Sequence, residues 1–340
     1  MSERKFNVAV VGATGAVGKV FFEILAERKF PINTIHALAS DRSLGRTVRF
    51  GNRQLDVDDL TQFDFKDIDL AFFSAGAAVS EKFAQRAVDA GAIVIDNTSC
   101  FRYEDDVPLV VPEVNSDALA EFHQRRIIAN PNCSTIQLVM VLQPLRQAAG
   151  LERVTVATYQ SVSGAGQSEI DRLARETLEL LNGRPLSDQN TPQIAFNVVP
   201  HVDRIQDNGY TREEMKLRWE SQKILGDPEL RLSATAVRVP VFYGHSEAVH
   251  IETTEPLAAE EARELLALAP GIEVLDAPDG EGFPTAVTHA AGQDPVFVGR
   301  IREDLSTPRG LALWIVADNV RKGAALNAVQ IAEVLVKDHI

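Results

Sequence analysis

Over roughly the first hundred residues, short apolar runs alternate with amphipathic stretches. Asn7–Val11 is a β-branched run of the kind that forms a buried parallel strand. Gly12-Ala13-Thr14-Gly15-Ala16-Val17-Gly18 follows, and from Val20 the apolar positions recur at helical spacing. Thr34–Ala39, Leu70–Phe73 and Ala92–Ile95 repeat the strand pattern, with a helix read over Ser80–Ala90. Small polar turns close the later strands, Ser74-Ala75-Gly76 and Asp96-Asn97-Thr98-Ser99. Repeated βα units predict an open, mostly parallel sheet that binds ligands at the carboxyl ends of its strands.

From Arg153 the pattern changes. Val154–Gln160 alternates like a half-exposed strand, Gln167–Leu181 reads as a long helix, and 182–200, rich in Pro, Asn and Gln, reads as a loop. Further strands are expected at Leu232–Val239, Ser246–Thr254 and Leu311–Ala317, which suggests a mixed or antiparallel sheet with helices on one side. Gly323–Val336 is apolar-periodic, and this helix is expected to return to the first domain. The fold class is therefore α/β. A Rossmann-like dinucleotide-binding domain spans 1–130, joined by the C-terminal helix 322–340, and an α+β domain with a mixed sheet spans 131–321.

Composition narrows the possible functions. A chain of 340 residues, 45% hydrophobic and 24% charged, suits a globular protein of two domains. A net charge of −14 disfavours nucleic acid and anionic membranes, while local Arg and Lys still permit an anionic small substrate. Two cysteines, Cys100 and Cys133, do not make a disulfide scaffold and fit a reducing, cytoplasmic setting. No apolar run approaches the roughly 18 residues that would span a bilayer. The start of the chain leads straight into a strand, with no signal peptide expected. The histidines show no metal-ligand spacing, since His245 and His250 fall on strand-like sequence, and no metal is expected.

The candidate chemistry centres on Asn130-Pro131-Asn132-Cys133-Ser134-Thr135, followed by an apolar helix from Ile136. Cys133 would open that helix, where the partial positive charge favours a thiolate over a thiol. The Gly12–Gly18 turn, set between strand and helix, suits a pyrophosphate. At the end of the second strand, Arg42 and Ser43 favour the 2′-phosphate of NADP, although Asp41 stands beside them. Arg102 follows a strand-end turn and is a candidate anion clamp. Gln160 lies at a strand end beside the turn Ser161–Gly166, Arg238 on an apolar strand, and His245 at a turn into the next strand. Burying Arg238 is costly unless it is paired or meets a ligand, and His245 is the obvious acid or base. Thr211 and Glu214 form a capping box, which explains neither Glu213 nor Lys216.

These motifs together resemble the bacterial, NADP-dependent aspartate-semialdehyde dehydrogenase family from end to end. The resemblance rests on G-A-T-G-A-V-G at Gly12–Gly18, S-A-G at Ser74–Gly76 and F-R at Phe101–Arg102. It continues through P-N-C-S-T at Pro131–Thr135, Y-Q-S-V-S-G-A-G at Tyr159–Gly166 and R-V-P-V-x-x-G-H at Arg238–His245. It implies NADPH-dependent reduction of L-aspartyl 4-phosphate to the semialdehyde with release of phosphate, a step toward lysine, methionine, threonine and diaminopimelate. Cys133 would carry the acyl group as a thioester, His245 would move protons, and Gln160 would orient the acyl group. Arg238 would clamp the α-carboxylate, Glu213 would meet the α-ammonium, and Arg102 and Lys216, assisted by Asn132, would hold phosphate. Gly12, Thr14, Gly15, Ala16, Val17, Arg42, Ser43, Ser74, Ser163, Gly164 and Asn319 would line the NADP(H) site, with Asn319 toward the nicotinamide. The second domain, catalytic, would also pair two copies into a homodimer. The departures are Met215, where the family often has an aromatic, and Cys100, which raises a redox-sensitive second thiol. Three alternatives remain: a related reductase acting on N-acetyl-γ-glutamyl phosphate, a non-catalytic paralogue, and a cofactor-free Cys–His hydrolase.

Overall fold

The apolar run that opens the chain becomes β1 (Phe6–Val11), the middle of a seven-stranded sheet. A computed structural model describes residues 4–188, 190–277 and 282–340, which form two units. One holds the described residues through Asn132 together with Ala324–Ile340, and the other spans Cys133–Gly323. In the first, β1 lies between β2 (Ile32–Ala39) and β5 (Leu70–Phe73), parallel to both. With β3 (Thr47–Phe50), β4 (Arg53–Asp59), β6 (Ile93–Asp96) and β7 (Ile127–Ala129), the order is β3-β4-β2-β1-β5-β6-β7. Only the β3–β4 pair is antiparallel. Strand order reverses at β1, so a crevice opens at its carboxyl end.

The glycines of the first turn set its geometry. Gly12 has φ +90°, and a Cβ there would meet the Ala75 nitrogen at 2.9 Å. A Cβ on Gly18 would fall 2.0 Å from the Gly12 carbonyl oxygen, so only glycine lets helix α1 (Ala16–Glu27) start against the strand. Helices α2 (Ala77–Asp89) and α3 (Pro112–Asn115) follow in this unit. The core joins Phe21, Phe22 and Leu25 of α1 to Phe72 and Ile95 of the sheet.

The second unit begins with α4 (Cys133–Ala149), apolar almost all round and mostly buried. Its six-stranded mixed sheet uses β8 (Arg153–Gln160), β9 (Arg231–Arg238), β10 (His245–Glu252), β11 (Ile272–Val274), β12 (Val296–Glu303) and β13 (Gly310–Ala317). The order is β11-β12-β13-β10-β8-β9. Helices α5 (Gln167–Leu181), α6 (Arg212–Leu225) and α7 (Ala259–Leu268) complete the unit. On β10, His245, Glu247, Val249 and Ile251 point into the core, whereas His250 is exposed. Tyr159 and Trp314, ring centroids 5.5 Å apart, lie on the barer face. The predicted capping box forms, with the Thr211 hydroxyl accepting from the Glu214 N–H. Glu214 also accepts from the Ala236 N–H at 2.9 Å, tying α6 to β9.

Three details differ from the sequence expectations. The β3–β4 hairpin is too polar to be read as strand. His245 is the first residue of β10 and not part of the turn before it, so the pleat directs its ring into the core. The last helix, α8 (Leu326–Asp338), starts after a π-helical turn at Arg321–Ala325, and its Leu326, Val329, Ile331 and Leu335 join the first unit's core. Among the described residues no helix is long and apolar enough to cross a membrane, and no cluster of His, Cys, Asp or Glu could hold a metal.

Glu247 lies fully buried on β10, and neither carboxyl oxygen has a hydrogen-bond partner among the described residues. Burial raises its pKa well above the usual value near 4.5. The neutral acid's contribution to stability is fully present below that usual value and is lost as pH rises toward the folded one. Glu247→Gln, which has no proton to lose, should therefore gain stability relative to the native chain as pH rises. Thermal melts at about pH 5 and pH 8 check this, and a difference that does not change between them contradicts it.

Candidate active site

In the first unit, a cavity of about 400 Å³ is lined by Gly12, Thr14, Gly15, Arg42, Ser43 and Ser74, among others. The start of α1 has no side-chain cap and no acid in its first turn, where Ala16 and Val17 lie. Its first N–H groups thus remain available to an anion, and the close-packed glycines keep the cradle open. Thr14 and Ser43 hydroxyls lie 3.2 Å apart, and Arg42 is exposed beside them. Asp41 folds back to accept its neighbour's N–H at 2.8 Å, which occupies one of its oxygens. These residues fit a dinucleotide.

The loop before the candidate nucleophile is tightly held. Arg102, buried, donates to the Asn130 carbonyl at 2.9 Å and the Asn97 carbonyl at 3.1 Å. Asn130 is joined to Asn97 and to Asn327 of α8 at 2.6 and 2.7 Å. Asn132, buried, ends the unit. Cys100 is a different kind of thiol. Burial, with Asp96, Glu81 and Glu104 nearby, pushes it up to about 11, so it keeps its proton at neutral pH.

In the second unit Cys133 is the first residue of α4, partly exposed, and in no disulfide. Gln160 is buried at the end of β8, and its amide donates to the Ser134 hydroxyl at 3.0 Å and to Glu213 at 3.1 Å. The other oxygen of Glu213 accepts from Lys216 at 2.8 Å, and Lys216 also meets Asp203 at 3.0 Å. Burial alone would push the Lys216 ammonium down, but the two carboxylates outweigh it and raise its pKa. Arg238 donates to the Ser161 carbonyl. Burial draws its guanidinium down, while Glu213 and Cys133 draw it back up.

His245 is fully buried, and its Nδ1 accepts from the Ser161 main-chain N–H at 3.1 Å. Burial, reinforced by Arg238, pushes the imidazole down to about 3. Asn319 braces this corner. Its carbonyl oxygen accepts from Ser161, Ser163 and the Gly244 N–H at 3.0, 3.1 and 2.9 Å. A Cβ on Gly164 would lie 3.1 Å from His245 Nε2 and 3.5 Å from Arg238 Nη1, so all three face one point.

Residues 7–122 match the model of the semialdehyde dehydrogenase NAD-binding domain, and residues 142–322 match that of the semialdehyde dehydrogenase dimerisation domain. The chain is 58% identical to the aspartate-semialdehyde dehydrogenase of Legionella pneumophila, over 99% of this chain and 97% of that one. The chain belongs to the aspartate-semialdehyde dehydrogenase family. A crystal structure of that family's enzyme II from Vibrio cholerae, complexed with ASA, is similar with TM-score 0.96 at 54% identity, covering 99% of this chain and 100% of that one. A Candida albicans member with NADP is similar with TM-score 0.74 at 27% identity, covering 98% of this chain and 99% of that one. The first unit is thus this family's nicotinamide-binding domain.

Within each unit the expected residues lie together. Gly12, Thr14, Gly15, Arg42, Ser43 and Ser74 share a cavity, and Gln160, Glu213 and Lys216 share one hydrogen-bonded chain. Sequence reasoning missed Ser161, whose main chain holds both His245 and Arg238, and Asp203, which has φ +66°. It also missed Gly323. A Cβ there would lie 2.9 Å from the Cβ of Cys133. Residue type alone carries no signal for such a close approach. Gly323→Ala should displace the nucleophile and lower kcat about tenfold or more, since small misplacements of reacting groups are costly. Cofactor affinity, measured by fluorescence titration, should be nearly unchanged.

Proposed function

We propose that this chain catalyses NADPH-dependent reduction of L-aspartyl 4-phosphate to L-aspartate 4-semialdehyde with release of phosphate, in the cytoplasm and as a homodimer. The first unit serves as its NADP-binding domain and the second as its catalytic and dimerisation domain. What carries the reading is the chain of hydrogen bonds from Ser134, next to Cys133, through Gln160 to Glu213 and Lys216. It ties an orienting amide, a carboxylate and an ammonium to the residue after the nucleophile. An N-acetylated substrate has no ammonium for Glu213 to meet, which favours the aspartyl compound.

Cys133, as thiolate, attacks the acyl carbon, and a covalent thioester splits one hard step into two. NADPH, when bound, supplies the reducing equivalents for the thioester. Gln160, with both amide hydrogens engaged, presents its side chain in a fixed orientation to the acyl group. Arg238 grips the α-carboxylate, where a planar guanidinium can meet both oxygens. Arg102 and Lys216 hold the phosphate, assisted by Asn132. Thr14, Arg42 and Ser43 hold the adenosine end of the cofactor, and the 2′-phosphate goes to Arg42. Ser163, Gly164 and Asn319 serve its nicotinamide end.

Phosphate-dependent NADPH formation should be fast with aspartate semialdehyde and negligible with N-acetylglutamate semialdehyde. The reverse order would assign the chain to the other reductase. Intact mass spectrometry of protein mixed with acyl phosphate and no NADPH should show an adduct on Cys133 that is absent in Cys133→Ala. Arg238→Lys should raise the substrate KM about tenfold or more through loss of the bidentate contact. A wild-type KM in that variant would remove Arg238 from the carboxylate.

A further inference from the structure

Lys216 lies in the second turn of α6, 13 residues after Asp203, yet their side chains meet at 3.0 Å. The chain between them folds back as a short hairpin. The Arg212 N–H donates to the Arg204 carbonyl and the Gln206 N–H to the Tyr210 carbonyl, both at 2.7 Å, and Gly209 turns the chain at φ +82°. Asp203 itself has φ +66°, which Asp and Asn tolerate better than most residues. An ammonium carries three N–H donors. Two of those on Lys216 go to Asp203 and to Glu213, the latter at 2.8 Å. An incoming anion would find one hydrogen left and two like charges alongside it.

The two carboxylates are not equally fixed. The Glu213 side chain is 7% exposed and its other oxygen accepts from Gln160, so it cannot withdraw without breaking a buried contact. The Asp203 side chain is 33% exposed. Its other oxygen accepts from the Arg204 N–H at 2.8 Å, and Arg212 is near enough to favour its charge. If Asp203 lets Lys216 go, it keeps a hydrogen bond, a counter-charge and water. Exchange there costs little, because solvent-exposed ion pairs contribute little.

We propose that Asp203 is a resident stand-in for phosphate: its carboxylate holds the Lys216 ammonium until the substrate's phosphate arrives, then yields that contact, and so sets how tightly phosphate binds. The proposal rests on the reading above that Lys216 holds the phosphate. A phosphate group carries about −1.5 to −2 charges and three acceptor oxygens against the carboxylate's single charge, so it competes well for the ammonium. Before substrate binds, the Asp203 contact keeps a largely buried cation paired and in place. The same contact weakens phosphate binding, because it must be broken first. It also assists release: once the acyl group has passed to Cys133, the returning carboxylate displaces phosphate from the ammonium. Asp203 acts through Lys216 and not on the reacting atoms, as a positioning residue.

Phosphate-dependent NADPH formation from aspartate semialdehyde by the full chain, at fixed ionic strength, tests this. Asp203→Asn keeps the side chain's shape, tolerates the positive φ and still accepts the Arg204 N–H, but carries no charge. It should lower the KM for inorganic phosphate about three- to tenfold, while the KM for aspartate semialdehyde moves less than about twofold. Should the Asn variant fail to fold, Asp203→Gly, which suits φ +66° with no side chain, takes its place with the same expectation. An unchanged or raised phosphate KM in the folded variant would overturn the proposal, since an aspartate that merely orders Lys216 would leave phosphate more weakly bound when removed. With Lys216→Ala in the background, Asp203→Asn should give no tightening, and a tightening that persists there would also overturn it. A fall in the semialdehyde KM alone would do the same, and would remove phosphate from Lys216. Calorimetric titration with inorganic phosphate, NADP present, reads the difference without turnover. If the wild-type chain does not turn over aspartate semialdehyde yet the Asn variant binds phosphate more tightly, the substrate reading fails and the role of Asp203 stands.

Discussion

One residue, Ser161, braces the candidate catalytic corner of the second unit. Ser161 gives its N–H to His245 and its carbonyl to Arg238, and its hydroxyl reaches Asn319. Buried main-chain groups need partners, usually from neighbouring main chain. Here two candidate site side chains, His245 and Arg238, take part, so the geometry of the site and the hydrogen bonding of the fold share the same contacts. Removing the His245 side chain would leave the buried Ser161 N–H unsatisfied, at a cost of about 1–3 kcal/mol. Stability and preorganisation are therefore coupled at this residue.

A chain with net charge −14 that handles anions must confine its positive charge. Arg102 donates to two main-chain carbonyls, which help to set its direction. Two carboxylates hold Lys216 at 2.8 and 3.0 Å. Arg238 stands between these cases, bound to a carbonyl while Glu213 and Cys133 favour its charge. Buried charges demand such pairing.

Much of this was legible in the sequence. Gly12 and Gly18 marked the strand-to-helix turn, and the structure supplies the reason in contacts that no Cβ would allow. The mixed second sheet followed from long strands such as Val154–Gln160 and Leu311–Ala317 without regular βαβ units, and the start of α6 from Thr211 and Glu214. The β3–β4 hairpin was hidden because both strands are polar and partly exposed. Ser161 gave no signal because it acts through main-chain atoms, which every residue type shares. Asp203 and Gly323 gave none because their partners are distant in sequence.

Local patterning alone determined the main βα units of the first domain, the placement of Cys133 at a helix start, and the family resemblance, because periodicity, turn chemistry and short motifs are written within a few residues of one another. Only the folded chain decided that His245 Nδ1 meets the Ser161 N–H, that Lys216 is shared by two acids, and that burial with nearby carboxylates raises the Cys100 thiol. Those states depend on burial and on charges brought together from separate elements. Electrostatics acts across space, and sequence spacing does not report it.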